Sequence, residues 1–187
     1  MPDRPYKAIL EEADAFFGRQ LLEQPGNLQC GKGCSLCCYG LFEIGAGDVA
    51  TIADGLAALH PMRRARIIRK ALETIESTGH PDLRDGSPEE KAAFFERAGS
   101  VPCPVLDESG ACMMYDHRPL VCRTFGLPLR EGPAYIGDIC ELNFTAATQE
   151  QKEAAAWDLL REDVAGPDEE YTVPEAIVLA ARARGWI

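Results

Sequence analysis

The sequence predicts an α+β fold, predominantly α, in which helices pack around a cysteine-rich core with a few short antiparallel strands. Three observations point there. Apolar residues recur at helical spacing over much of the chain. The stretches that break this periodicity hold all eight cysteines. Only short runs beside those cysteines have strand character. At 187 residues the chain is expected to form one domain, 1–187, large enough to bury a core without staples.

Tyr6, Ile9, Ala13, Phe16, Phe17 and Leu21 predict an amphipathic helix over about 5–23, ended by Pro25 and Gly26. Residues 27–40 carry four cysteines and three glycines with neither periodicity, and are expected to form a loop wrapped around something. Residues 41–44 predict a short strand, after which Asp48 can cap a helix with Val49, Ile52, Leu56 and Leu59 on one face. Pro61 then opens a basic helix to about residue 77, with Met62, Ala65, Ile68, Leu72 and Ile75 inward and its arginines forming a solvated face.

Ser87, with Pro88 at the first helical position and Glu90 three residues on, gives a capping-box signature for a helix to about residue 97. Residues 45–98 therefore form a helical insertion between two cysteine-bearing segments. The second segment, 101–140, predicts two short strands around the turn Asp107-Glu108-Ser109-Gly110, then a helical turn near Pro119. C-terminal helices are expected over about 148–187, as 148–164 and 174–184, with Trp157, Leu160, Ile177 and Leu179 as packing residues.

Net charge narrows the partners. With 30 acidic against 19 basic residues, a formal charge of −11 repels phosphate backbones and acidic membrane surfaces, so no nucleic acid and no membrane are expected. The start, MPDRPYK, lacks the apolar stretch of a secretory signal, and nothing approaches a membrane span. A reducing, cytoplasmic compartment is the expectation, where clustered cysteines serve as metal ligands or catalytic groups rather than disulfides. No protein partner is indicated.

The eight cysteines fall in two blocks, Cys30, Cys34, Cys37 and Cys38, then Cys103, Cys112, Cys122 and Cys140. The first reads C-x3-C-x2-C-C. Two-residue spacing lets Cys34 and Cys37 reach one ion while the backbone turns beneath them, and Gly31 and Gly33 suit that turn. Adjacent Cys37 and Cys38 are expected to direct their side chains differently. They would then serve different sites, meet a polynuclear cluster from two sides, or split into one ligand and one packed thiol.

In the second block, prolines fix the backbone on both sides of Cys103 in Pro102-Cys103-Pro104. These four cysteines are too dispersed to chelate without the fold gathering them, so the expected metal ligands are all eight. Lys32, His117, Arg118, Arg123 and Arg130 stand where they can offset thiolate charge or simply pair with carboxylates. His60, His80 and His117 are scattered, and only His117 falls inside a cysteine block, as a ligand or a donor to one. No phosphate-binding glycine loop, G-x-S-x-G or H-E-x-x-H is present, and no catalytic residue is singled out.

Residues 30–44 (CGKGCSLCCYGLFEI) and 102–126 (PCPVLDESGACMMYDHRPLVCRTFG), about a fifth of the chain, resemble the YkgJ-type cysteine-cluster family. In the second segment Cys-Pro, a glycine turn, Cys, Tyr, Arg-Pro and Cys-Arg-x-Phe follow in that family's order. The first departs from the C-x2-C-x2-C-C pattern by three residues between Cys30 and Cys34. The resemblance implies chelation of zinc or iron, with the physiological role left open. The flagellin lysine N-methylases have a similar cysteine pattern and an iron–sulfur cluster, which implies iron–sulfur chemistry as the alternative.

Soft sulfur donors suit zinc, ferrous iron or a cluster. Zinc (Zn2+) is the expected metal, being redox-inert and needing no assembly machinery. A thiol–disulfide or redox-sensing protein rests only on the C-x2-C of Cys34 and Cys37, which no strand–helix unit precedes.

Overall fold

A computed structural model describes residues 5–31, 33–81, 83, 85–162 and 169–187. Helix makes up about 52% of it, with seven α-helices and small sheets of short strands among the described residues, which is the α+β, mainly α class. None of those helices is long and apolar enough to cross a membrane. The chain divides into two compact units: residues 1–32 with 120–165, and residues 33–119 with 166–187.

In the first unit, α1 (Tyr6–Glu23) packs on the short α5 (Leu120–Thr124). Ile9, Leu10, Ala13 and Phe16 of α1 meet Leu120, Leu127, Phe144, Ala155 and Trp157 in one core, the helical repeat placing the α1 residues on a single stripe. Strand β2 (Leu129–Glu131) pairs antiparallel with β3 (Ala134–Gly137) and parallel with β4 (Trp157–Asp158), the connection to β4 passing through α6 (Gln149–Ala154).

The helix expected over 148–164 is cut short here, and residues 163 and 164 lie outside the described residues. Trp157, fully buried, is pulled into the sheet: its main-chain N–H donates to the Pro128 carbonyl at 2.8 Å, its indole N–H donates to Glu162 at 2.7 Å, and Phe16 meets its ring edge-on at 5.3 Å. A tryptophan whose ring and both N–H groups find partners outweighs the helix propensity of the residues after Ala154. Leu160, expected to pack, is left 58% exposed.

In the second unit, β1 (Glu43–Gly45) pairs antiparallel with β5 (Glu170–Thr172), which runs into α7 (Val173–Ala183). Helices α2 (Ala46–Ala58) and α3 (Pro61–Thr78) both pack on α7, whose Ala176, Ile177, Ala180 and Ala181 are buried. Small residues there let the helices approach closely. Capping boxes at Ser87/Glu90 and Thr172/Glu175 start α4 (Pro88–Arg97) and α7.

Two local expectations are corrected. Helix α2 starts at Ala46 after Gly45, so Asp48 is not the cap but a buried first-turn carboxylate, where the helix dipole favours it. On α3, Ile67, Ile68 and Ala71 face inward while Met62 is 77% exposed and Leu72 is only partly covered, because the buried stripe is rotated from the one expected.

Candidate metal centre

In the second unit the two cysteine-bearing segments are joined by main-chain bonds. A 3-10 turn, Leu36–Cys38, carries Cys37 and Cys38. Pro102 and Pro104 have no N–H, so the only main-chain donor of Pro102-Cys103-Pro104 is that of Cys103, and it donates to the Cys38 carbonyl at 2.8 Å. Gly40 N–H donates to the Val101 carbonyl at 2.8 Å, and Tyr39 bridges Pro102 antiparallel.

The turn at 107–110 returns the chain to the cluster. Asp107 N–H donates to the Ala111 carbonyl at 2.9 Å, Met113 N–H donates to the Val105 carbonyl at 3.1 Å, and Leu106 bridges Cys112. In place of the two strands expected, this isolated bridge suffices, because the Asp107 carboxylate organises the turn. It accepts from the Ser109 hydroxyl (2.7 Å), the Ser109 N–H (2.8 Å) and the Ala111 N–H (2.9 Å), which hold it below the usual carboxylate range. Gly110 takes the positive φ (79°) that the turn needs.

Four sulfurs thereby become electrostatic neighbours: Cys37, Cys38, Cys103 and Cys112. Cys37 is the hub. A hydrogen bond to Cys38, then burial and the charge of Cys38, push its thiol well above the ordinary value, while Arg118 opposes this. Burial pushes the Cys103 thiol up to about 12, with Cys112 and Cys37 adding to the rise and Lys70 opposing it. Burial likewise raises Cys112, with Cys37 and Asp107 adding and Arg118 opposing.

Cys37 and Cys38 therefore do not point apart as adjacent residues were expected to. Successive side chains of a tight turn diverge, yet a thiol with one rotatable bond can swing back to meet its neighbour. Two cations serve this group. Arg118 lies over the Tyr115 ring at 3.7 Å and donates from Nε to the Tyr115 carbonyl at 2.9 Å. Lys70 of α3, which sequence reasoning missed, donates to the Leu106 carbonyl at 3.2 Å.

Among the described residues no three His, Cys, Asp or Glu already stand as the ligand set of one ion. Holding an ion here requires these neighbouring thiols to lose protons and draw in around it. All-sulfur donors with flanking cations suit a thiophilic ion such as zinc or iron and not a hard, oxygen-seeking one.

The remaining expected ligands fall elsewhere. Cys34 belongs to the second unit and is exposed. Cys30, Cys122 and Cys140 belong to the first unit. Cys140 is buried, Cys122 sits half-buried on α5, and the Cys30 sulfur accepts from Asn143 Nδ2 at 3.0 Å. All eight cysteines, each within the described residues, carry thiols rather than disulfides.

Of the charged groups singled out that fall among the described residues, only Arg118 reaches the four-sulfur group. Arg123 pairs with Asp14, and Arg130 pairs with Asp158 at 3.4 Å. His117 packs its Cβ against Gly55 of α2, where any added methyl would come within 2.7 Å of it. Lys32 lies outside the described residues.

No curated protein and no solved structure matches the chain. One family model does, over residues 29–141, which is more than half of the sequence and takes in every cysteine. On that match the chain belongs to the CxxCxxCC family, described as a "Putative zinc- or iron-chelating domain".

Proposed function

We propose that this protein is a zinc-binding protein of the reducing cytoplasm, in which Cys37, Cys38, Cys103 and Cys112 hold one ion and Cys30, Cys34, Cys122 and Cys140 are metal ligands outside that four-sulfur set. The observation that carries this reading is the main-chain hydrogen bond from Cys103 to Cys38, beside which the Cys37 thiol is hydrogen-bonded to Cys38 and its charge raises the Cys103 and Cys112 thiols. Bound zinc would supply a fixed, redox-inert positive charge among the sulfurs. Arg118 and Lys70 would offset the excess negative charge of the thiolates, and the prolines flanking Cys103 would keep its backbone from relaxing away.

Elemental analysis and a visible spectrum of anaerobically purified protein test the assignment. Stoichiometric zinc in a colourless preparation, lost from Cys37→Ser and Cys103→Ser, is the expected result. A brown preparation carrying iron and sulfide would replace zinc by an iron–sulfur cluster, and no bound metal would end the proposal.

A further inference from the structure

We infer that Asn143 is a positioning residue for Cys30, its side-chain amide orienting that sulfur for an ion. The inference rests on the reading of Cys30 as a metal ligand given above. Asn143 is 3% exposed and its amide is fully engaged. Nδ2 donates to the Gly126 carbonyl at 2.9 Å and to Cys30 Sγ at 3.0 Å, while Oδ1 accepts from the Gln29 N–H at 2.8 Å.

The chemistry of the partners fixes which end is which. A main-chain N–H can only donate, so Oδ1 must face Gln29, and a carbonyl can only accept, so Nδ2 must face Gly126. The second Nδ2 proton is thereby aimed at Cys30, and the sulfur is left to accept it.

Backbone geometry closes the cradle. Gly126 has φ of 101°, and a Cβ there would lie 2.6 Å from Asn143 Nδ2 and 2.8 Å from Cys30 Sγ. The main chain at 126 can therefore approach the amide and the sulfur only because it carries no side chain. On the other side, Phe144 N–H donates to the Asn27 carbonyl at 2.7 Å and Asn143 N–H donates to the Cys140 carbonyl at 3.1 Å, tying the segment that carries the amide to the segment that carries Cys30 and to a second cysteine.

The test is a titration of metal-free protein with Zn2+ and with Co2+, whose sulfur-to-metal charge-transfer band reports on the thiolates. Asn143→Asp keeps the shape and the Gln29 bond while removing the donor, and Asn143→Ala removes the whole amide. We expect Asn143→Asp to weaken Zn2+ binding on the order of 10- to 100-fold. It should move the Co2+ band to lower energy, because a sulfur that loses its N–H donor gives up electrons more readily. The same change in a Cys30→Ala background should cost nothing further, since a residue acting through Cys30 has nothing left to act on.

Full additivity in the double variant, or an unmoved band with unchanged affinity in Asn143→Asp, overturns the proposal while Cys30 remains a ligand. If Cys30→Ala alone binds both metals as the parent does, the ligand assignment fails and the proposal falls with it. Should Asn143→Ala not fold, the near-isosteric Asp variant decides.

Discussion

Cys38 and Cys103 are joined through their backbones, the N–H of Cys103 donating to the carbonyl of Cys38 at 2.8 Å. The bond lies between the two cysteine-bearing segments and holds their main chains together before any ion is present, which lowers the entropy that binding must overcome. The insertion of α2, α3 and α4 between the two segments is thereby bracketed by a fixed pair of residues.

Cys37 and Cys34 share a C-x2-C motif but not a setting, since Cys37 is the hub of the sulfur group and Cys34 is exposed. Cys37→Ser should lower bound metal and thermal stability together, because metal affinity is folding free energy in such sites. Cys34→Ser should lower both less. Competition against a chromophoric chelator, with melting curves on the same samples, ranks the two, and a larger loss from Cys34→Ser would put the hub elsewhere.

Two arginines near cysteines in sequence should separate in function. Arg118 lowers the cost of charge on Cys37 and Cys112, so Arg118→Ala should weaken metal about tenfold, with partial recovery in Arg118→Lys, which keeps the charge. Arg123, 6% exposed, pairs with the half-exposed Asp14, so Arg123→Ala should cost stability, about 2 kcal/mol, and leave metal affinity nearly unchanged. Denaturant melts of the metal-free proteins beside metal titrations separate the effects. An equal loss of affinity in both variants would contradict the assignment.

Strands β1 and β5 bring two carboxylates together. Burial, then a hydrogen bond and charge from Glu170, raise the Glu43 carboxyl, and Lys91, which is 3.7 Å from Glu170, opposes them only in part. A carboxyl raised on folding holds its proton more tightly in the native state. Its contribution is therefore most favourable at low pH and is lost as pH climbs from the ordinary carboxylate value through the raised one. At neutral pH the pair is a cost, so Glu43→Gln should stabilise the fold by about 0.5 kcal/mol at pH 7, discounted for exposure, and by nothing at pH 4. Urea melts at the two pH values check this, and a variant less stable at pH 7 would show that the charge is useful where it stands.

How much of this was legible follows from what each residue depends on. Ser87/Glu90 and the stripe Ile9, Ala13, Phe16 are local patterns, so α4 and α1 were readable to within a residue or two. Cysteine spacing likewise announced a member of a cysteine-rich chelating family, since few other uses need that many thiols in so short a stretch. It did not announce which thiols meet, because the Cys38–Cys103 bond depends on prolines that remove every competing donor. The ending of the helix at Ala154 depends on Trp157 reaching Pro128 and Phe16, which no local window contains. Asn143 carried no signal at all: one asparagine outside every motif becomes informative only when the fold sets it against a sulfur.

Gly126 gives the most stringent test of that last contact. Its φ of 101° disfavours any side chain, and a methyl there would collide with both Asn143 Nδ2 and Cys30 Sγ. Gly126→Ala should therefore destabilise the metal-free protein by about 2 kcal/mol from backbone strain alone. It should also displace the sulfur, so metal affinity should fall beyond what the stability loss accounts for. Gly137, which also has positive φ but nothing within 4 Å of its added methyl, is the control: Gly137→Ala should show strain without the loss of metal. Parallel melts and Zn2+ titrations of the two variants compare strain with crowding. If Gly137→Ala loses as much metal as Gly126→Ala, the approach of the chain to Cys30 has no special role, and general backbone strain accounts for both.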